Sequence, residues 1–415
     1  MAHVQQTGSH HRPRAQAWVA AAAAAMLILT GFQVRAEHAG LSGGGSPSVD
    51  PAIEPYVNHN GLQGKLSIAG SDTMRPLIAK LAAQFSSLHP AAQIAVEGTG
   101  SSAAIREFLL GLSYQRRGDK VQGRGTAGST TVELLASSRQ LTEDESKGFE
   151  SNYGYRPLEV PIAMDAVATY VNKDNPLQRL TLAEVDAIFG KNHKRGLASV
   201  TNWSQIGLGD SALAKQPVHL YGRDKRSGTR EFFKHVALKD GELLDDVIEQ
   251  PGSASEIIAI AQDPLGVGYA GAGFDISAVR QVPIAAQPEG PALLPSVETV
   301  TSGAYPLSRS LYLYVKKGPK DKLDPVVEEF LAFVNSRQGQ ETVARANFYP
   351  LTSTQVANIV RSWGWPKGRW SPSHLRTCRS PNNTHGNTPH HRICDEGTDR
   401  ERLVQKALPF LFFLV

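Results

Sequence analysis

The chain reads as an α/β protein with largely parallel sheets, and three observations point there. Short apolar runs of strand length alternate with longer stretches whose apolar residues recur at helical spacing. Glycines and small hydroxyl residues sit at the junctions where a strand gives way to a helix. With 415 residues, 41% hydrophobic and 20% charged, the chain has the balance of a globular protein and the length for two or three lobes, at roughly 100–200 residues each.

The alternation is followed in order. KLSIAG (65–70) reads as a strand. Residues 76–89 read as a helix, with Leu77, Ile78, Leu81, Phe85 and Leu88 on one stripe and Pro76 suited to the first turn. AQIAVEG (92–98) is the next strand, and residues 102–110 form a helix that Gly111 closes. The order recurs after Ala163: AVATYVN (166–172) is a strand, and Thr181-Leu-Ala-Glu184 fits a capping box opening a helix that runs to Phe189. VHLYGRD (218–224) leads into a helix over 229–238. GVGYAG (266–271) and SLYLYVKK (310–317) are strands, and 325–336 is a helix.

A net charge of +4 invites a nucleic-acid reading, so its location matters. Residues 1–36 carry three arginines and no acid, and residues 364–415 carry eight basic against four acidic residues. The body between them has 32 basic and 35 acidic residues. A nucleic-acid binder concentrates positive charge on its folded domain, where phosphate neutralisation drives affinity; this chain does the reverse.

Arg12 and Arg14 precede an apolar run from Ala17 to Phe32, followed by Val34-Arg35-Ala36. Charge, apolar core and a small-x-small site, in that order, mark a secretory signal peptide over 1–36, and the run is shorter than the ~20 residues a membrane span needs. A Gly/Ser/Pro-rich stretch follows, read as a flexible linker over 37–63. Both cysteines, Cys378 and Cys394, lie in the tail 364–415, which breaks the α/β pattern and reads as disordered. The charge cluster within 113–131 reads as a solvated loop.

Three strand-to-helix junctions share one composition: Gly70-Ser-Asp-Thr-Met74, Gly98-Thr-Gly-Ser-Ser102 and Arg223-Asp-Lys-Arg-Ser-Gly-Thr229. At a helix start the backbone N–H groups lack intrahelical partners and the dipole is positive, which suits a compact oxyanion. Any one of these turns could be an ordinary N-cap. Three together, with Arg223 placed to grip an oxyanion bidentately, favour a site. No Walker-type loop, Gly-x-Ser-x-Gly elbow or His-Glu-x-x-His motif is present, and Gly123-Arg-Gly-Thr-Ala-Gly128 lacks a preceding strand. The histidines of the body, His59, His89, His193, His219 and His235, are dispersed, so neither a metal nor another cofactor is expected and no enzyme is indicated.

The spans LSIAGSDTMRPLIAKLA, VEGTGSSAAI, ELLASSRQLTEDE, VPIAMDAVATYVNKDNPLQRLTLAEVDAIFG and LYGRDKRSGTREFFKH, with GVGYAGAGF and YPLTSTQV, resemble the phosphate-binding proteins of bacterial phosphate ABC transporters. The resemblance runs from about Lys65 to about Trp363. It implies a two-lobed clamshell of the type II periplasmic-binding class, with lobe 1 over 64–162 and 273–363 and lobe 2 over 163–272, the chain crossing near Pro161 and returning near Gly271–Phe274. Carried over by residue, it implies phosphate ligands at Thr73, Met74 through its backbone N–H, Ser101, Ser102, Arg223, Ser227, Gly228 and Thr229. Many members have an aspartate that accepts the proton of hydrogen phosphate; the matching residue here is Ser138, and Ser138, which can accept a proton, and Arg139, which can add a second positive fork, are carried as further ligands. Asp165 and Asp72 are the candidate replacements; a hinge cap is the other reading of Asp165. The resemblance implies an exported, periplasmic monomer with inorganic phosphate and a membrane permease as partners. A secreted phosphate-scavenging, sensing or adhesion protein, or a binder of another tetrahedral oxyanion, is the alternative.

Overall fold

A computed structural model describes residues 48–59, 61–110, 114–117, 120–123 and 132–362. The expected signal peptide and tail lie outside the described residues. Elements follow in chain order: β1 (Gly64–Gly70), α1 (Arg75–Leu88), β2 (Ala92–Gly98), α2 (Ser101–Leu110), β3 (Tyr114–Arg117), β4 (Lys120–Gly123), β5 (Leu134–Ser137), α3 (Glu143–Tyr153) and β6 (Leu158–Asn172). Next come β7 (Leu180–Thr181), α4 (Leu182–Phe189), β8 (His219–Arg223), α5 (Gly228–Val236), β9 (Ile248–Gln250), α6 (Ser253–Gln262), β10 (Gly266–Gly271), β11 (Val279–Val282) and β12 (Ile284–Ala285). The chain continues through α7 (Val297–Thr301), β13 (Ser308–Val315), α8 (Pro325–Val334), α9 (Arg337–Arg345) and α10 (Ser353–Ser362).

Local chemistry explains the best-defined starts. Thr142 and Thr181 each close a reciprocal capping box with a glutamate three residues on, opening α3 and α4. Proline in the first turn opens α1 and α8, where its missing N–H costs no hydrogen bond. On α1, Leu77, Ile78, Leu81 and Phe85 are buried as the stripe requires, whereas Leu88 at the end is exposed.

One strand organises the sheet. β6 is 15 residues long, roughly 50 Å at the usual rise per residue. Its first part, Leu158–Ala166, pairs antiparallel with β13; its last part, Val167–Asn172, pairs antiparallel with β10 and β11. Around the first part lies the order β2-β1-β5-β13, with β1 parallel to both β2 and β5; beyond the last part, β10, β8 and β9 follow in parallel. The expected parallel pairing holds for β1 with β2 and β5 and for β8 with β9 and β10, whereas β6 and β13 make only antiparallel pairs, β13 with β5 as well as with β6.

The second lobe packs around Val167, Tyr170, Phe189, Trp203, Phe233, Ile260 and Tyr269. Phe233 and Tyr269 stack with centroids 3.8 Å apart and 4° between planes. After the expected return near Gly271–Phe274 the chain does not leave this core. β11 pairs with β6, and Val279, Val282, Ile284, Val300, Tyr305 and Leu307 pack in the same cluster. The strand that leads back to the first lobe is β13.

Two further segments differ from expectation. Within 113–131, read as a loop, β3 and β4 pair as an antiparallel hairpin; alternation of polar and apolar residues is too weak over four residues to announce strands. Part of the expected linker is docked: Ile53 is buried, Arg337 donates to the carbonyls of Pro51 and Ile53, and Tyr56 donates to Glu329.

Gly70 ends β1 at φ +148°, and a Cβ there would lie 1.9 Å from the Ala136 carbonyl oxygen. Gly61, also at positive φ, has nothing within 4 Å of that position. Gly70→Ala is therefore expected to destabilise by about 2–4 kcal/mol, from strained backbone and a forced strand shift together, and Gly61→Ala by clearly less. Paired urea denaturation curves check the ranking.

Candidate functional site

The three sequence-marked turns lie at the carboxyl ends of β1, β2 and β8, each feeding a helix. Ser227 caps α5, its side chain accepting from the Arg230 N–H. A fourth turn of the same kind, Pro251-Gly252-Ser253, links β9 to α6 and was not singled out in the sequence because β9 has only three residues.

These turns converge. Thr73 Oγ1 lies 3.0 Å from Thr229 Oγ1 and 3.4 Å from Ser253 Oγ. Arg223 donates through Nη1 to Ser253 Oγ at 2.7 Å and to Thr73 Oγ1 at 3.4 Å, and through Nη2 to the Pro251 carbonyl at 3.3 Å and Asp72 Oδ2 at 3.4 Å. On the other side Ser101 Oγ accepts from the Ser138 N–H at 3.1 Å and lies 3.2 Å from Ser138 Oγ. Gly228 closes over this pair: a Cβ there would stand 2.5 Å from Ser101 Oγ and 2.9 Å from Ser138 Oγ. Only glycine lets the α5 start approach so closely. The lobes are also joined by a backbone bond from the Ser102 N–H to the Arg226 carbonyl at 3.0 Å.

All of this is dry. Thr73, Ser101, Ser138, Arg223, Ser227, Thr229 and Ser253 are each at most 3% exposed. Among the described residues nothing accepts from Arg223 Nε. An almost fully buried guanidinium whose acceptors are mainly neutral is costly unless a counter-charge joins it.

A second buried arginine adjoins the first. Arg309 on β13 donates through Nε and Nη2 to Asp165 Oδ2 at 2.9 and 2.7 Å, and through Nη1 to Thr229 Oγ1 at 2.9 Å. Asp165 and Arg309 are register partners on β6 and β13, at the point where β6 passes between lobes. Among the described residues no side chain donates to Asp165 Oδ1, and the Ala166 N–H is the backbone donor that acts on this carboxyl. Burial pushes the Asp165 carboxyl up from its ordinary range, with Arg309 opposing. Beneath Arg223, Glu256 on α6 is buried, accepts from the Tyr269 N–H at 2.8 Å and has its carboxyl pushed up to about 8 by desolvation, against the pull of Arg223.

The structure thus brings together Thr73, Ser101, Ser138, Arg223, Ser227, Gly228 and Thr229, with Asp165 one guanidinium away. It does not bring Arg139 in: that side chain forms a bidentate pair with Glu145, both bonds 2.7 Å. The Met74 N–H is taken by Ser71 Oγ at 3.3 Å, and the Ser102 Oγ is buried without a partner beside the cluster. Arg223 pairs with neither Asp224 nor Glu231; Asp224 holds Arg226. Sequence reasoning missed Ser253, Arg309 and Glu256. For Arg309 a signal existed: on β13 it shares the inward parity of Leu311 and Leu313, so a charge there had to be partnered.

Comparison with known proteins agrees with this geometry. A family model described as a PBP superfamily domain matches residues 41–338. The phosphate-binding protein PstS of Pseudomonas aeruginosa is 37% identical over 320 residues, 76% of this chain and 92% of that protein. Protein SphX of Synechococcus elongatus is 23% identical over 73% of this chain and 82% of its own length. Among solved structures, a phosphate ABC transporter substrate-binding protein from Clostridium perfringens with bound phosphate superposes with a TM-score of 0.54 at 25% identity, covering 70% of this chain and all of that one. An ABC-type phosphate transport receptor from Vibrio cholerae, at 21% identity and TM-score 0.51, shares the fold. On the extent of the family-model match and the identity to PstS, the chain belongs to the phosphate-binding proteins of the periplasmic-binding-protein superfamily.

Proposed function

We propose that the chain is an exported receptor that captures inorganic phosphate between its two lobes and delivers it to the permease of an ABC transporter. It acts as a monomeric binding protein in the periplasm, with no catalytic step of its own. The observation that carries this reading is the convergence of four hydroxyl-bearing helix starts on the buried Arg223.

Three features of that place match phosphate. Helix starts at α1, α2, α5 and α6 aim positive dipole ends at a common point. The hydroxyls of Thr73, Ser101, Ser138, Ser227, Thr229 and Ser253 are small donors that can each turn toward an oxygen. Arg223 supplies full charge in a site where water does not screen it, so its bonds to an oxyanion are stronger than at a surface. Because Thr73, Ser101 and Ser138 come from one lobe and Arg223 and Thr229 from the other, an anion held by both favours closure.

Phosphate differs from sulfate at neutral pH in keeping a proton. A site that discriminates between them needs an acceptor for it, and Ser138 carries no charge. Asp165 takes that role: Arg309 occupies Oδ2, which leaves Oδ1 as the open acceptor. Sulfate offers Oδ1 no hydrogen and is repelled by the carboxylate. The raised pKa of Asp165 sets the sign of the pH effect. As pH falls and the carboxyl protonates, it becomes a donor and the discrimination weakens. Glu256 acts from behind. Below about 8 it is protonated and leaves the charge of Arg223 available to the ligand; above that value it ionises and competes for the same guanidinium.

Three outcomes follow for isothermal titration with phosphate and sulfate between pH 5 and 9. Arg223→Ala is expected to weaken phosphate binding at least tenfold, about 1.4 kcal/mol or more; unchanged affinity would remove Arg223 from the site. Asp165→Asn should raise sulfate affinity relative to phosphate, and wild type should lose part of its preference as pH falls and the carboxyl protonates; a preference independent of both would sink the proton-acceptor role. Glu256→Gln should keep phosphate affinity above pH 8, where the wild-type value declines relative to it.

A further inference from the structure

A separate cleft of about 1150 Å³ lies beside the buried cluster, with Ser102 and Arg309 in its wall. It is far too roomy for one phosphate and slightly exceeds the roughly 300–1,000 Å³ usual for sites that hold organic molecules. Both lobes line it: Arg106 of α2 and Tyr312 of β13 on one side, Lys225 of the β8–α5 turn and Phe232 of α5 on the other.

Its lining carries four arginine or lysine side chains and four carboxylates, but they are paired unevenly. Four carboxylates line the cleft, and each is engaged by a neighbour: Glu145 with Arg139, Glu143 with Arg156, Glu231 with Lys234, and Asp240 with His235. Arg106 and Lys225, by contrast, have no ion pair or hydrogen bond to any described residue, and they project from opposite lobes. Two buried polar atoms add to this end of the cleft: among the described residues Ser102 Oγ and Arg139 Nε have no partner, and the Arg139 side chain is only 10% exposed. The rest of the lining mixes polar residues such as Gln140, Thr142 and Ser310 with apolar and aromatic ones, Met164, Phe232 and Tyr312, and Phe232 lies against the Arg309 guanidinium at 5.4 Å.

We propose that this cleft is a second ligand site, taking an organic anion whose charged group sits between Arg106 and Lys225 and whose aromatic body lies against Phe232 and Tyr312. A charge-assisted contact to each lobe would tie them together from outside the phosphate site. A ligand bound there therefore binds the closed form better than the open one, and by reciprocity slows the release of phosphate. The cleft shares Ser102, Arg139 and Arg309 with the edge of the phosphate cluster, but Arg106, Lys225, Phe232 and Tyr312, which hold the proposed ligand, take no part in that cluster.

Naphthalene-2-sulfonate is the probe: a compact anion on an aromatic body that carries no phosphate. Calorimetric titration into phosphate-saturated protein is expected to show one saturable site, with 2-naphthol and sulfate binding there at least tenfold more weakly. Arg106→Ala and Lys225→Ala should each weaken the sulfonate at least fivefold while phosphate affinity without the sulfonate stays as in wild type; Tyr312→Ala should weaken the sulfonate with both cations intact. Stopped-flow release of phosphate should slow in the presence of the sulfonate and return to its basal rate in Arg106→Ala/Lys225→Ala. Absence of saturable binding to the phosphate-saturated wild type, or binding indifferent to all three substitutions, overturns the proposal. Loss of phosphate binding in wild type would instead count against the receptor reading.

Discussion

The buried guanidinium of Arg223 is the interaction around which the site is built. Removing an arginine from water is tolerated only where its donors are met and its charge answered. Here the donors reach Ser253, Thr73, the Pro251 carbonyl and a part-exposed Asp72, and Glu256 behind it is held neutral by its own burial. The neighbouring Arg309 shows the contrast, since Asp165 lies fully buried against it. Arg309 meets a fully buried carboxylate at 2.7 Å, whereas Arg223 meets only the part-exposed Asp72, at 3.4 Å, which leaves a weakly answered positive excess.

That excess works only if the two lobes meet around it, and β6 is what lets them. A strand shared by both halves of the sheet fixes the line along which they join, while the glycine-and-hydroxyl turns hang from the carboxyl ends of other strands, β1, β2, β8 and β9. In open α/β sheets those ends collect the free N–H groups of the following helices. The Asp165–Arg309 pair sits on the shared strand and its partner β13, and its third bond goes to Thr229 in the second lobe. Ligand chemistry and the junction of the lobes are thus linked through a single guanidinium. The net acidity of the body is no obstacle, because the donors are aimed and local.

Legibility in the sequence followed the range of the forces involved. The capping box at Thr181, the α1 stripe and the Gly-hydroxyl turns are set by neighbours within four residues and could be read directly; the box at Thr142 has the same local pattern and came from the structure. The β3–β4 hairpin and β9 were too short for period-two patterning to register. Ser253 belongs to a turn of the same chemistry as the other three, yet it became recognisable only once β9 was seen to lie beside β8. Arg139 illustrates the opposite failure: its position after Ser138 suggested a ligand, but Glu145, brought close by the capping turn of α3, lies six residues away and takes both ends of its fork.

The sequence alone determined the α/β class, the three glycine-and-hydroxyl turns, the placement of Arg223 at a strand end and the mild acidity of the body. Each rests on local pattern, on a family of motifs in fixed order or on a count of charges. Tertiary structure alone decided which of those groups meet. Thr73 and Thr229 are 156 residues apart in the chain and 3.0 Å apart in space, and Asp165 and Arg309 are separated by 144 residues. It also decided that residues after Phe274 stay with the second lobe until β13, because apolar burial there outweighs the nearest route back. Long-range pairing sets burial, and burial sets both the charge state of Glu256 and the strength of every bond to Arg223. A linear pattern carries no record of either.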